Sequence, residues 1–196
     1  MTKGFMGDRE KALEESYFRQ QDAKLLDKLR HGASLDEIAI ALRDKLQVDN
    51  PELLASARES GVTAETAPAF LLAPLVQVAW AEGKVGKHER EAVLRLAHDR
   101  GVASGTPAHD QLLSWLEQRP SDTLFDTALD VIKAGFDVLP HVEREERIER
   151  IVHACHEVAA GSGSEIARLL GLGDGVSGSE ETVMGTIEAR LRGRAG

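Results

Sequence analysis

Phe70-Leu71-Leu72-Ala73-Pro74-Leu75-Val76-Gln77-Val78-Ala79-Trp80 is the stretch whose reading decides the fold. It is apolar on nearly every side of a helix, and a helix hydrophobic all round belongs in a core or in a membrane. Too short to span a bilayer, and carrying Pro74, it is expected to be the central helix of a bundle. That helix should begin near Thr63 and kink at Pro74.

Outward from this segment helix signals recur and strand signals are nearly absent. Gly83 and Gly86 break the chain before a helix over 87–100, which Gly101 stops. Thr106-Pro107 caps a helix with Leu112, Leu113, Trp115 and Leu116, and Ser121 opens a longer one through Leu124, Phe125, Ala128, Leu129 and Ile132. After Pro140, Ile148, Ile151, Val152, Cys155 and Ala159 share one helix face. Gly161-Ser162-Gly163-Ser164 reads as a joint, followed by a short helix (Ile166, Leu169, Leu170), a Gly-rich loop and a last helix over 177–191. Towards the N-terminus, Asn50-Pro51 caps a short helix ended by Gly61. Ser34-Leu35-Asp36-Glu37 is a capping box that opens a helix with Leu35, Ile38, Ala39, Leu42 and Leu46 on one stripe. The expected fold is therefore all-α: one multi-helix bundle at 62–192, a helical hairpin or linker at 32–61, an extended charged helix at 1–31, and a frayed tail at 193–196.

Composition narrows the function. Only 4 % of the 196 residues are aromatic, so the core must be built from aliphatic side chains. A net charge of −9 argues against nucleic acid as a partner, because phosphate neutralisation needs a basic face. A single cysteine, Cys155, excludes an internal disulfide framework. The first residues, MTKGFMGDREKALEE, have no apolar core of the secretory kind, so no membrane insertion and a cytoplasmic location are expected. Nothing in the sequence fixes the oligomeric state.

The charged helix is the anomaly. Twelve of the residues at 8–30 are charged, six of each sign, with acids leaning early and bases late, as the helix dipole favours. Leu13 and Tyr17 lie on one side, while Phe18, Leu25 and Leu29 lie about a third of a turn away. Adjacent aromatics flanked by charge are what a helix offers to a groove on another protein. The alternative, which takes precedence on these residues by themselves, is that Tyr17 and Phe18 dock the helix onto its own bundle.

The run Phe5-Met6-Gly7-Asp8-Arg9-Glu10-Lys11-Ala12-Leu13-Glu14-Glu15-Ser16-Tyr17-Phe18-Arg19-Gln20-Gln21 resembles the inhibitory segment of the mitochondrial ATP synthase inhibitor family. That family carries a stretch of the form G-x-R-E-x-A-x-E-E-x-Y-F-R. In it the segment folds as it enters a catalytic interface of the F1 motor and blocks ATP hydrolysis. The resemblance implies contact roles for Glu10, Glu14, Glu15, Tyr17, Phe18 and Arg19, with F1 catalytic subunits as the partner. The family continues into a long His-rich coiled coil that supplies dimerisation and pH sensing. This chain turns instead at His31-Gly32, so a pH switch of that kind is in question.

Leu75-Val76-Gln77-Val78-Ala79-Trp80-Ala81-Glu82-Gly83-Lys84-Val85, with Glu89 and Glu91 after it, resembles the tellurite-resistance B-like helical family over roughly 65–192. Gly173-Asp174-Gly175-Val176-Ser177-Gly178-Ser179-Glu180-Glu181 looks like a second copy of the pattern. Aligning Val85 with Val176 sets Glu89 on Glu180, Val93 on Met184 and Leu96 on Ile187. The resemblance implies a divalent-metal site, for which Glu82, Glu89, Asp174 and Glu180 are the candidates. A hard cation needs several converging oxygens, whereas Ser177 with Glu180 already reads as a capping box. Helix capping is the favoured account of these acids.

His153-Ala154-Cys155-His156-Glu157 is the densest reactive cluster, yet it is not the zinc-protease order. Cys155 falls on the buried stripe, where a thiol acts as a small hydrophobe. No phosphate loop and no nucleophile elbow appear, so no catalytic residues and no enzyme are expected. The expected protein is a bacterial, non-enzymatic regulator that inhibits F1 through its first helix. The competing expectation is a stress-linked module that binds a divalent metal or a protein partner, with the first helix structural.

Overall fold

Short polar side chains, prolines and glycines set where each helix starts and stops. The computed structural model describes residues 19–26, 28, 50–162 and 176–193. The Asn50 side chain accepts from the backbone N–H groups of Glu52 and Leu53, and Pro51 follows in the first turn of α1 (Pro51–Glu59). Gly61, at φ +83°, turns the chain in the left-handed region that a side chain would oppose.

The apolar segment that decided the fold forms two helices, α2 (Ala67–Phe70) and α3 (Ala73–Ala79), and not the single kinked helix expected. Leu71 and Leu72 form a turn between them, with Leu72 leaving helical geometry at φ −99° and ψ 2°, and the chain restarts with Pro74 in the first turn of α3. There the missing proline N–H costs nothing, since a first-turn N–H has no partner within the helix. Mid-helix, the same proline would have removed a hydrogen bond and clashed with the preceding turn.

Gly86 precedes α4 (Lys87–Asp99), which ends at Gly101 with φ +87°. Thr106 accepts from the His109 N–H to open α5 (Pro107–Glu117), and Ser121 accepts from the Leu124 N–H to open α6 (Asp122–Asp137). Next, α7 (His141–Ser162) takes in Gly161 and Ser162, the first two residues of the expected joint. The last helix, α8 (Gly178–Leu191), starts at a complete capping box. The expected helix opened by Ser34 and the short one around Leu169 lie outside the described residues.

Helix α3 is central, as expected: it packs against α4, α5, α6, α7 and α8. Phe70, Ala73, Val76 and Val78 are fully buried around it. Leu54 and Ala57 of α1 join the same core, with α1 lying on α6, so residues 51–59, expected to belong to a hairpin or linker, are part of the bundle. The Trp80 indole N–H donates to the Trp115 carbonyl at 2.8 Å and ties the end of α3 to α5. Arg190 reaches from α8 to Asp126 and Asp130 on α6, and Arg192 pairs with Glu145 on α7. All described secondary structure is helical, and no described helix is long and apolar enough to cross a membrane.

Candidate functional site

The charged N-terminal segment is described over residues 19–26 and at residue 28. Residues 19–26 are helical, and each of them is exposed. Arg19 stands at the start of this stretch; Glu10, Glu14, Glu15, Tyr17 and Phe18 lie outside the described residues. Leu25 and Leu26 are 58 % and 53 % exposed, so the described part of the helix presents adjacent leucines to water among its charges.

The two acidic motifs occupy matching places in the bundle. Glu89 is the third residue of α4 and Glu180 the third of α8, and they are 8 % and 1 % exposed. Val93 and Leu96 below the first match Met184 and Ile187 below the second in being buried. A buried carboxylate must be hydrogen-bonded or paired to offset its desolvation. Glu180 Oε2 accepts from the Ser177 N–H at 2.8 Å, while Ser177 Oγ accepts from the Glu180 N–H at 3.3 Å. Gly86 has no side chain to complete the reciprocal pair, and the Glu89 carboxylate folds into the room it leaves. A Cβ at Gly86 would stand 2.4 Å from Glu89 Oε2. Both acids are thus turned onto their own helix starts. Glu82 is exposed in the turn before α4, and Asp174 lies outside the described residues. Among the described residues, no group of three or more His, Cys, Asp or Glu side chains is placed to hold a metal ion.

The reactive cluster on α7 separates into a buried and an exposed part. Cys155 is 1 % exposed, and burial pushes its thiol up to about 12, against a smaller opposing effect of Arg100. His153 and His156 face solvent. His153 Nδ1 lies 3.2 Å from Glu157, whose other oxygen accepts from Arg95 on α4 at 2.9 Å. The Arg95 hydrogen bond holds the Glu157 carboxyl below its ordinary range, with further help from the Arg95, His153 and Arg100 charges. Glu157 links α7 to α4 through Arg95, while burial in the core favours the protonated, unreactive form of the thiol.

Sequence reading missed a cavity of about 440 Å³ at the junction of α2, α3, α6 and α7. Leu71 and Leu75 form one wall, Ile132 and Phe136 of α6 a second, and Ile151 and Ala154 of α7 a third. Arg100, Arg147 and Arg150 line it as well. Arg147 pairs with Glu143 at 2.8 Å. Arg100 donates to the Leu96 carbonyl at 3.0 Å, and Arg150 donates through Nε to the Glu146 carbonyl at 3.3 Å. The lining comes from four separate stretches of chain, so no local spacing announces it. The one visible signal was indirect: Leu71 and Leu72 read as helix interior, and the break there opens one wall.

No protein-family model, no curated protein and no solved structure matches this chain.

Proposed function

We propose that this protein is a non-enzymatic regulator whose first helix enters a catalytic interface of F1 ATPase and blocks ATP hydrolysis. One observation from the structure supports this reading: residues 19–26 form an exposed helix with Leu25 and Leu26 in solvent. A helix whose described part leaves two leucines uncovered is available to another protein. The resemblance of residues 5–21 to the inhibitory segment supplies the identity of the partner.

On this reading Tyr17 and Phe18 fill an apolar cleft, while Glu10, Glu14, Glu15 and Arg19 form ion pairs as they leave water. Charge pairs set the encounter rate and the register, and the aromatic anchors set the dissociation rate. The bundle acts as an anchor that limits how far the helix can enter. The buried, capped positions of Glu89 and Glu180 give the competing metal-binding reading no added support.

The test is ATP hydrolysis by F1 purified from the source organism, titrated with the full chain and with a Tyr17→Ala/Phe18→Ala variant. The full chain should inhibit, and the variant should need at least about tenfold more protein for the same effect. Equal inhibition by both would remove the anchors from the mechanism, and no inhibition by either would end the motor reading.

A further inference from the structure

The chain carries a net charge of −9, and its described arginines mostly meet carboxylates: Arg90 with Glu117, Arg95 with Glu157, Arg144 with Asp137, Arg190 with Asp126 and Asp130. Arg100 and Arg150 depart from that pattern. Among the described residues their hydrogen bonds go to backbone carbonyls one turn back, and both side chains line the apolar cavity between α3, α6 and α7. A guanidinium has five donors, so one carbonyl leaves most of them available. An apolar slot bordered by available guanidinium donors is complementary to a molecule with a hydrocarbon body and an anionic head.

We propose that this cavity binds a single-chain amphiphile with a carboxylate head, of the fatty-acid type. The alkyl chain lies along Leu71, Leu75, Ile132, Phe136 and Ile151, and the carboxylate faces Arg100 and Arg150. Size agrees with this occupant. A space of about 440 Å³ is at the small end of pockets for small organic ligands, and the side chains around it are already packed into the bundle core. The charge of the head decides specificity, because planar guanidinium forks match carboxylates in geometry as well as sign. The site is remote in sequence from the proposed inhibitory helix, and its occupancy does not depend on that reading.

The experiment is calorimetric titration of the full chain with decanoate, below its micelle concentration, and with decanol as the head-group control. Decanoate should bind saturably, one per chain, at least about tenfold more tightly than decanol. An Arg100→Gln/Arg150→Gln variant changes two exposed positions and is expected to keep its fold, checked by its thermal midpoint. It should lose about tenfold or more in decanoate affinity while decanol is unaffected. Methyl resonances of Ile132 and Ile151 should shift on decanoate addition. An Ala154→Leu variant, which narrows the slot, should weaken both ligands. Equal binding of the two ligands, or decanoate affinity indifferent to the arginine changes, would overturn the proposal, as would the absence of saturable binding. A synthetic peptide of residues 5–21 that shifts the same methyls where decanoate does not would also overturn it, by assigning the groove to the chain's own N-terminal segment.

Discussion

Cys155 concentrates the residue-scale physics of α7. At 1 % exposure its thiol is pushed from 9.0 up to about 12, because a thiolate there would be a charge without water. The folded state therefore favours the protonated thiol more than the unfolded state does. That contribution is fully present below pH 9.0 and is lost as pH rises towards about 12. Replacing Cys155 with Ala should flatten the alkaline side of a stability-versus-pH profile, measured by urea midpoints between neutral and strongly alkaline pH. In the protein that keeps Cys155, a disulfide reagent at mildly alkaline pH should label the thiol slowly when folded and rapidly in urea. Fast labelling of the folded protein would mean that α7 lifts off the core often. The neighbouring His153 and His156 face solvent for a simple reason: the apolar stripe fixes which way position 155 points, and positions 153 and 156 then point elsewhere.

Among elements, the two acidic helix starts make a controlled comparison. Both place a glutamate at the third position over a buried aliphatic pair, yet only α8 has a serine before it. Ser177→Ala should cost about 1 kcal/mol, the usual worth of an N-cap side chain. Glu180→Ala should cost more, about 2 kcal/mol, since it strips the part-buried Ser177 N–H of its acceptor and opens a void where a buried side chain stood. Glu89→Ala should fall below Glu180→Ala, because Gly86 offers no hydroxyl for a reciprocal bond. Urea denaturation of the three variants checks the order, and an inverted order would deny that the box supports α8. Sequence found both helix starts, because capping is local chemistry within four residues. It failed at Pro74 for a related reason. A proline inside an apolar run fits a kink or a fresh start equally well, and the choice fell to how α2 and α3 pack separately against α5 and the rest of the core.

For the molecule as a whole, the question is what holds α8 in place against α6 and α7. Met184, Ile187 and Leu191 are buried against the bundle, while Arg190 and Arg192 bridge to α6 and α7 at its surface. Burial and surface charge differ in worth: a deleted buried Ile side chain costs about 2–5 kcal/mol, whereas an exposed ion pair contributes about 0–1 kcal/mol. Ile187→Ala should therefore destabilise the protein several-fold more in free energy than Arg190→Ala. The chemical midpoints of both variants at low and at high salt decide it. If Arg190→Ala matched Ile187→Ala, the twin contacts to Asp126 and Asp130 would be acting as a network and not as separate surface pairs.

Two kinds of information divide this protein. By itself the sequence determined the helical class, the caps at Asn50, Thr106, Ser121 and Ser177, the buried face of α7 and the central place of residues 73–79. Each follows from interactions within a turn or two of chain, or from an apolar pattern that permits one outcome. Tertiary structure decided the split at Leu71 and Leu72, the inclusion of α1 in the core, the burial of Glu89 and the cavity lined by Arg100 and Arg150. These depend on which distant segments meet. Arg100 and Arg150 are separated by half a hundred residues, and their shared setting exists only because α4 and α7 pack side by side.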